Sequence, residues 1–276
     1  RWLAAGGAMT FLSSFGQTYF ISIFAGEIRD TFALSHGAWG GIYTLGTLAS
    51  AATMMLVGPL ADRFRVRLLA PLVLVGLSLA CIAMASLAPA LVALLPLVVY
   101  ALRFCGQGML TQLPAVAVGR WFSAARGRAI SIVFLGVAAG EALLPVTFVT
   151  LAGLLGWRSA WIVAAAVPLL AAPILFSALG RERRPQSFAA EEGTAGLDGR
   201  HWGRRQALSH WLFWATFPGF LAQPIFGTAL FFHQVHLVET KGWALAAFVS
   251  LMPLFVGAQI AGLVGAGAAI DRFGSA

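Results

Sequence analysis

Of the 276 residues, 59% are hydrophobic and only 10% charged, with a formal net charge of +8 and a mean hydropathy of +0.85. A soluble domain is about 45–50% apolar and about 25% charged, so these proportions exclude an ordinary water-soluble domain and describe an integral membrane protein. The two cysteines, Cys81 and Cys105, lie inside apolar runs, which excludes a disulfide framework and argues against a metal site built on thiolates. The basic residues sit beside hydrophobic spans, where topology accounts for them, so nucleic acid is not an expected partner.

Apolar runs of about 18 or more residues are long enough to cross a bilayer as helices. In chain order the candidates are Trp2–Ala25, Ala38–Leu60, Leu68–Leu87, Ala90–Val118, Ala129–Leu155, Trp161–Leu179, Trp211–Phe232 and Trp243–Ile270. The fourth carries Arg103 and the fifth Glu141; the others are free of charge. No segment alternates polar and apolar residues as a membrane barrel requires, so the expected fold class is all-α, a polytopic bundle of membrane helices. The first run lacks a short apolar core with a small-residue cleavage site and is expected to be retained as a span.

Basic residues distribute unevenly over alternate connections. Arg1, the Arg63/Arg65/Arg67 and Arg120/Arg126/Arg128 clusters, the arginines between positions 181 and 205, and Arg272 share one side. Arg29, Arg158 and Lys241 lie on the other. The positive-inside rule places the first side, with the N-terminus, in the cytoplasm of a bacterial-type inner (plasma) membrane.

The longest polar stretch, Gly180 to Ser209, is rich in Arg, Glu and Gly and has no apolar period, as expected of a solvated linker. Gly58, Asp62, Arg63 and Phe64 recur with the same spacing as Gly267, Asp271, Arg272 and Phe273, each set following the second span of its block. The expected organisation is a six-helix unit over residues 1–180, a cytoplasmic linker over 181–208 and the first two helices of a second such unit over 209–276. The chain opens at Arg1 and ends just past a basic turn, so further sequence is expected at both ends.

These residues resemble the major facilitator superfamily, whose members carry two six-helix halves joined by a cytoplasmic loop. Gly58-Pro-Leu-Ala-Asp62-Arg63-Phe-Arg65-Val-Arg67 looks like its signature loop between helices two and three, and Gly267 to Gly274 like the echo in the second half. Arg103-Phe-Cys-Gly106-Gln-Gly108 is similar to its fourth-helix pattern. Within the superfamily, Trp121-Phe122, Arg126-Gly127-Arg128-Ala129, Gly136 and Gly140 before Pro145, and Gly156-Trp157-Arg158 look most like the monocarboxylate and oxalate/formate branch. Arg65 stands where the signature has Gly, and span eight lacks the basic residue that this branch often places there. The resemblance implies that four helices of the second half lie outside this chain, and that helices one, four and seven surround the pathway.

Arg or Glu at bilayer depth costs at least about 2.5–3.5 kcal/mol, so such residues face a cavity or each other. At 1.5 Å per residue Arg103 lies about 20 Å from the outer end of span four and Glu141 about 18 Å from the inner end of span five, both near mid-depth. They are expected to line a central cavity, Arg103 attracting an anion and Glu141 carrying a proton; the alternative is a structural ion pair between them. Tyr100, Arg103, Gln107 and Thr111 are spaced to share one helix face. Thr10, Ser13, Ser14 and Gln17 form a similar stripe in span one, and span seven offers Thr216 and Gln223. Interhelical hydrogen bonding is the alternative use of these side chains.

The resemblance assigns the surface loop of Gly58, Asp62 and Arg63, with Gly267, Asp271 and Arg272, to a gate between the halves. His233 and His236 are spaced for one helix face, but no third ligand is evident nearby beyond Glu239 and they sit at the outer end of span seven, so no metal site is expected. Pro145, Pro218, Pro224 and Pro253 are expected to kink helices, and Gly136 and Gly140 to permit close helix packing.

The expected function is secondary active transport by alternating access. The solute is small and organic, a monocarboxylate or another anion, with a coupled proton or exchanged anion and the lipid bilayer as partners. An exporter of a neutral or cationic solute, or a transport-like sensor, are the alternatives. No cofactor is expected. The chain has no Walker-type loop, and no histidine or paired Asp at membrane depth that would suit an intramembrane enzyme.

Overall fold

The computed structural model describes residues 1–58, 64–122, 126–180 and 204–273, and only the backbone of residues 120, 126, 204, 220, 223 and 263–273. The first span is broken. Helix α1 (Trp2–Leu12) gives way to a 3-10 turn at Ser13–Gly16 and an extended Gln17, then α2 (Thr18–Ile21), a second 3-10 turn and α3 (Ala25–Phe32). The hydroxyls of Thr10 and Ser13 donate back to the carbonyls of Gly7 (3.0 Å) and Thr10 (2.6 Å), which competes with the helical ladder and bends it.

Ala33, at φ 52°, closes α3 in the left-handed region. Helix α4 (His36–Val57) then starts from Ser35, whose Oγ accepts from the Ala38 N–H at 3.1 Å. Helix α5 (Val66–Ser86) follows. The fourth span is a composite of a 3-10 turn at Pro89–Leu94, α6 (Leu95–Leu102), a π-helical segment Arg103–Met109 and α7 (Leu110–Trp121). Helices α8 (Arg126–Leu155) and α9 (Trp157–Ala178) meet at Gly156, whose φ of +83° suits glycine.

After α10 (Arg204–Ser209) come α11 (Trp211–Phe232) and α12 (Gln234–Lys241). The eighth span is divided just before Pro253 into α13 (Leu245–Val249) and α14 (Met252–Phe273). The described residues hold seven helices long and apolar enough to cross a membrane; the first span escapes that measure only because its pieces are short. The bundle is all-α, as composition predicts. The linker residues 181–203 lie outside the described residues, but the end of the polar stretch is helical as α10.

Small residues set the packing. A Cβ on Gly136 would overlap the Gly7 carbonyl and Thr10 Oγ1, and one on Gly140 would overlap Ser14 Oγ, so α8 lies directly on α1. The Thr10 hydroxyl also reaches the Val133 carbonyl across that contact at 2.6 Å. Gly46 does the same for α4, its missing Cβ lying 2.9 Å from the Pro96 carbonyl and the Tyr100 amide of α6. Phe20 packs against Phe148 (centroids 4.9 Å) and Trp161 (5.3 Å), clamping the broken first span between α8 and α9. Leu48, Leu56, Leu72, Leu79, Leu170 and Ile174 are exposed on the outside, where a bilayer solvates them.

Candidate functional site

The break in the first span and the π segment of the fourth lie against each other. Gly16 and Gly106 face across the contact, and a Cβ on either would overlap the other's backbone. The break has a specific consequence for hydrogen bonding. In an unbroken helix the Phe20 N–H would bond the Gly16 carbonyl, whereas here the N–H groups of Phe20 and Ile21 both turn to Gln17 O, at 3.2 and 3.1 Å. The freed Gly16 carbonyl accepts instead from Arg103 Nη1, at 3.2 Å.

The same nitrogen donates to Thr18 Oγ1 at 3.1 Å, which also accepts from the Tyr43 hydroxyl at 2.9 Å. The guanidinium carbon stands 5.5 Å from the centroid of the Tyr43 ring, a cation–π distance. Arg103 is 4% exposed, its Nε is buried without a partner, and among the described residues no carboxylate is within ion-pair distance of it. A guanidinium at this depth held only by neutral groups is an uncompensated buried charge.

Glu141 is 7% exposed in the middle of α8. It does not pair with Arg103: among the described residues the one ion pair is Arg29 with Glu239. The structural ion pair weighed from sequence is therefore absent, because the two side chains approach the first span at different places. Beside Glu141 the Tyr19 hydroxyl donates to Ser14 Oγ at 2.8 Å, within electrostatic reach of the carboxyl. Pro145, four residues on, has no N–H to offer the Glu141 carbonyl, so one backbone acceptor is freed next to the acid.

The residues of the polar stripe expected on span four differ in burial. Arg103 is buried, Tyr100 and Thr111 are half-buried and Gln107 is exposed. The segment that holds Arg103 and Gln107 is π-helical, with i→i+5 bonding, and residues four apart still lie close in azimuth there, so the two differ in what packs on them. Tyr100 stacks on Phe104 (centroids 5.8 Å), and the Thr111 hydroxyl bonds the Gln107 and Gly108 carbonyls of its own helix. In span one, Ser14 is buried under Tyr19 and Gln17 forms the extended joint of the break. The Thr216 hydroxyl is spent on the carbonyls of Leu212 and Phe213. Gln223 lies within α11, and its side chain is outside the described residues.

At the proposed gate, the Gly58 carbonyl accepts from Gln112 Nε2 at 3.3 Å, and a Cβ there would sit 3.0 Å from that amide, so Gly58 admits α7 closely. Asp62 and Arg63 lie outside the described residues. The second copy departs from the turn read in sequence: backbone helix α14 runs through Gly267, Asp271 and Arg272 to Phe273.

Thr18, Tyr43, Tyr19 and the Gly16 carbonyl escaped the sequence reading. A tyrosine or threonine in an apolar run gives no periodic signal, and a carbonyl gives none at all. The two halves of the chain also touch: Gln234 Nε2 donates to Tyr19 O (3.1 Å) and Ser22 Oγ (2.8 Å), and Ser22 Oγ donates to Phe231 O (2.6 Å).

A bundle of membrane helices in which two adjacent spans break at one level, around a buried unpaired cation, defines the class as a polytopic membrane protein with a polar centre. The model of the Major Facilitator Superfamily matches residues 7–276, and the chain belongs to that superfamily of transport proteins. The chain is also similar to the 3-(3-hydroxy-phenyl)propionate transporter of Escherichia coli (strain K12), with 34% identity over 182 residues, which is 63% of this chain and 41% of the relative. The chain thus spans about two-fifths of the length of the curated relative it matches. No solved structure matches.

Proposed function

We propose that the protein is a secondary active transporter that moves a small organic anion, a monocarboxylate bearing an aromatic or alkyl group, by alternating access. The observation that carries this reading is Arg103, a buried guanidinium at the paired helix breaks with neutral partners and a free Nε. A carboxylate fits a guanidinium fork with two charge-assisted hydrogen bonds. The rings of Tyr43 and Phe232 (centroids 4.9 Å apart) make the surroundings of Arg103 aromatic, which suits the organic part of such an anion. The similarity to a transporter of an aryl propionate supports the same class of solute.

In this mechanism Arg103 holds the carboxylate, while Glu141, buried beside Tyr19 and Ser14 without a basic partner among the described residues, takes up and releases the coupled proton. Gln107, Tyr100, Thr111, Gln17, Ser14 and Gln223 belong to the polar surroundings of the pathway. Gly58, Asp62 and Arg63, with Gly267, Asp271 and Arg272, form the gate at the membrane surface. Residues 1–180 make one six-helix half, 181–208 a cytoplasmic linker and 209–276 the opening helices of the other. The membrane is a bacterial-type inner membrane with the N-terminus inside, and a reporter fused within 181–206 that reads as external overturns that orientation.

The test is uptake of labelled 3-phenylpropionate and short carboxylates by the full-length protein of the parent gene in liposomes, with and without an inward proton gradient. Arg103→Ala is expected to abolish uptake. Glu141→Gln is expected to abolish gradient-driven uptake while sparing carboxylate exchange. Carboxylate flux that survives Arg103→Ala, or no carboxylate flux from a folded protein, overturns the anion assignment.

A further inference from the structure

On the face that carries the connection between spans one and two, residues from opposite ends of the chain converge. His36 is the first residue of α4, fixed by the Ser35 cap. His236 and Glu239 lie three apart on α12 and so share a face. Helix α12 is itself anchored by Gln234 to the first span. The nearest ligand atoms of His36, His236 and Glu239 lie within 4.8 Å of one another, and the two imidazoles meet edge to face with centroids 4.5 Å apart. All three side chains are exposed, so they can adjust without disturbing the core.

Two further observations point to a cation at this place. Arg29 already sits there, Nη1 at 2.8 Å from His36 Nε2 and Nη2 at 3.0 and 3.3 Å from the two oxygens of Glu239. A guanidinium only donates, so His36 Nε2 presents its lone pair to the cluster and carries its proton on Nδ1. Imidazole and carboxylate lone pairs are thus already aimed at one positive group. Beside the two imidazoles is a cavity of about 30 Å³ lined by Arg29, His36, His233 and His236 and by four apolar side chains, Trp39 and Phe232 among them, but not by Glu239; its volume is about that of one water molecule or one ion.

We propose that His36, His236 and Glu239 form a binding site for a divalent transition-metal ion of the zinc class, with Arg29 as the competing resident cation. Two imidazoles and one carboxylate are a donor set that suits zinc and leaves a fourth position to water. At metal–ligand distances of about 2.0–2.1 Å the donor atoms of a tetrahedral site stand about 3.4 Å apart, so separations of up to 4.8 Å close by up to about 1.4 Å as Arg29 swings out. The bound ion ties the start of α4 to α12 and so joins the two ends of the chain across this face. The sequence leaves the site hidden because His36 is remote from the other two ligands, which by themselves make an incomplete set.

The experiment uses the full-length protein, purified without a polyhistidine tag and held in lipid nanodiscs, titrated with Co²⁺ and followed by visible absorption, then back-titrated with Zn²⁺. We expect a d–d band that saturates at one equivalent and is bleached by Zn²⁺. His36→Ala, His236→Ala and Glu239→Gln are each expected to weaken binding at least about tenfold. Arg29→Gln removes the competing charge and is expected to tighten binding about tenfold. That gain separates a shared cation site from a chance cluster. Absence of a saturable band in both the wild type and Arg29→Gln overturns the proposal. Undiminished affinity after His36→Ala places the metal elsewhere and overturns it as well. Binding is read directly, so the outcome is independent of which solute the protein carries.

Discussion

Thr18 holds two donors on one oxygen, and replacing it by valine keeps the shape while removing both acceptor sites. In Thr18→Val, Arg103 Nη1 retains the Gly16 carbonyl, but the Tyr43 hydroxyl, in a side chain 5% exposed, loses its partner. A buried donor left unsatisfied costs about 1–3 kcal/mol, so Thr18→Val is expected to destabilise by about 2 kcal/mol. Tyr43→Phe removes the donor itself and forfeits a single hydrogen bond, about 0.6 kcal/mol on average within membranes and about 1.7 at most. In the double variant no hydroxyl is orphaned, so its cost falls short of the sum of the single costs by about 1–2 kcal/mol. The cycle is measured by unfolding in mixed micelles of rising SDS fraction, followed by the fluorescence of the nine tryptophans. Thr18→Ser, which keeps the oxygen, loses only the burial of a methyl, about 0.8 kcal/mol. Single costs that add to within about 0.5 kcal/mol would refute the claim that one oxygen serves both residues.

Two further substitutions test the packing. Gly136→Ala is expected to cost about 1–3 kcal/mol by overpacking α8 on α1, because its Cβ would meet Gly7 O and Thr10 Oγ1 and lie 2.8 Å from Phe11 N. Gly153→Ala on the same helix meets nothing within 4 Å and is expected to stabilise by up to about 1 kcal/mol; equal shifts of the thermal midpoint for the two would contradict this. Arg158 donates from Nη1 to Ala85 O at 2.6 Å and from Nη2 to Leu87 O at 3.0 Å, satisfying the last carbonyls of α5. Arg158→Met is expected to lower stability by about 1–2 kcal/mol and to raise hydrogen exchange at the end of α5, and protection unchanged there would leave the contact without energetic weight.

Composition and run length were sufficient to read the fold as an all-α membrane bundle, because the bilayer leaves few solutions: a long apolar run has to satisfy its own backbone, and a helix does so. Gly136 and Gly140, four apart on an apolar helix, carried a packing signal that the contact with α1 matches. The breaks were harder to see. Thr10, Ser13, Ser14 and Gln17 read as a polar stripe on a continuous helix, because hydroxyls suit both hydrogen bonding between helices and local back-bonding that ends a helix. Which use prevails depends on what packs beside them, here Gly106 of another span. The π segment is likewise invisible to a spacing argument that assumes 3.6 residues per turn.

Arg103 and Glu141 stood out in the sequence for an energetic reason, since each is a charge at a depth where charge is costly. Their surroundings did not stand out, because the groups that hold Arg103 are a backbone carbonyl, a threonine and a tyrosine. The carbonyl is available because the first span leaves the α-helical ladder at Gly16 and Gln17, and Thr18 follows at the same break, while Tyr43 comes from α4. The broken ladder and the buried cation therefore depend on each other: the break frees a carbonyl that would be costly to leave unpaired, and Arg103 occupies it with one nitrogen while Nε stays free. Two local rules, an intact helix and a neutral interior, are violated together at this one place, whereas Glu141 departs from the second alone, within an unbroken helix. Such a coincidence is expected where binding requires it, and this is why the paired breaks carry the functional argument better than any single polar residue in the stripes.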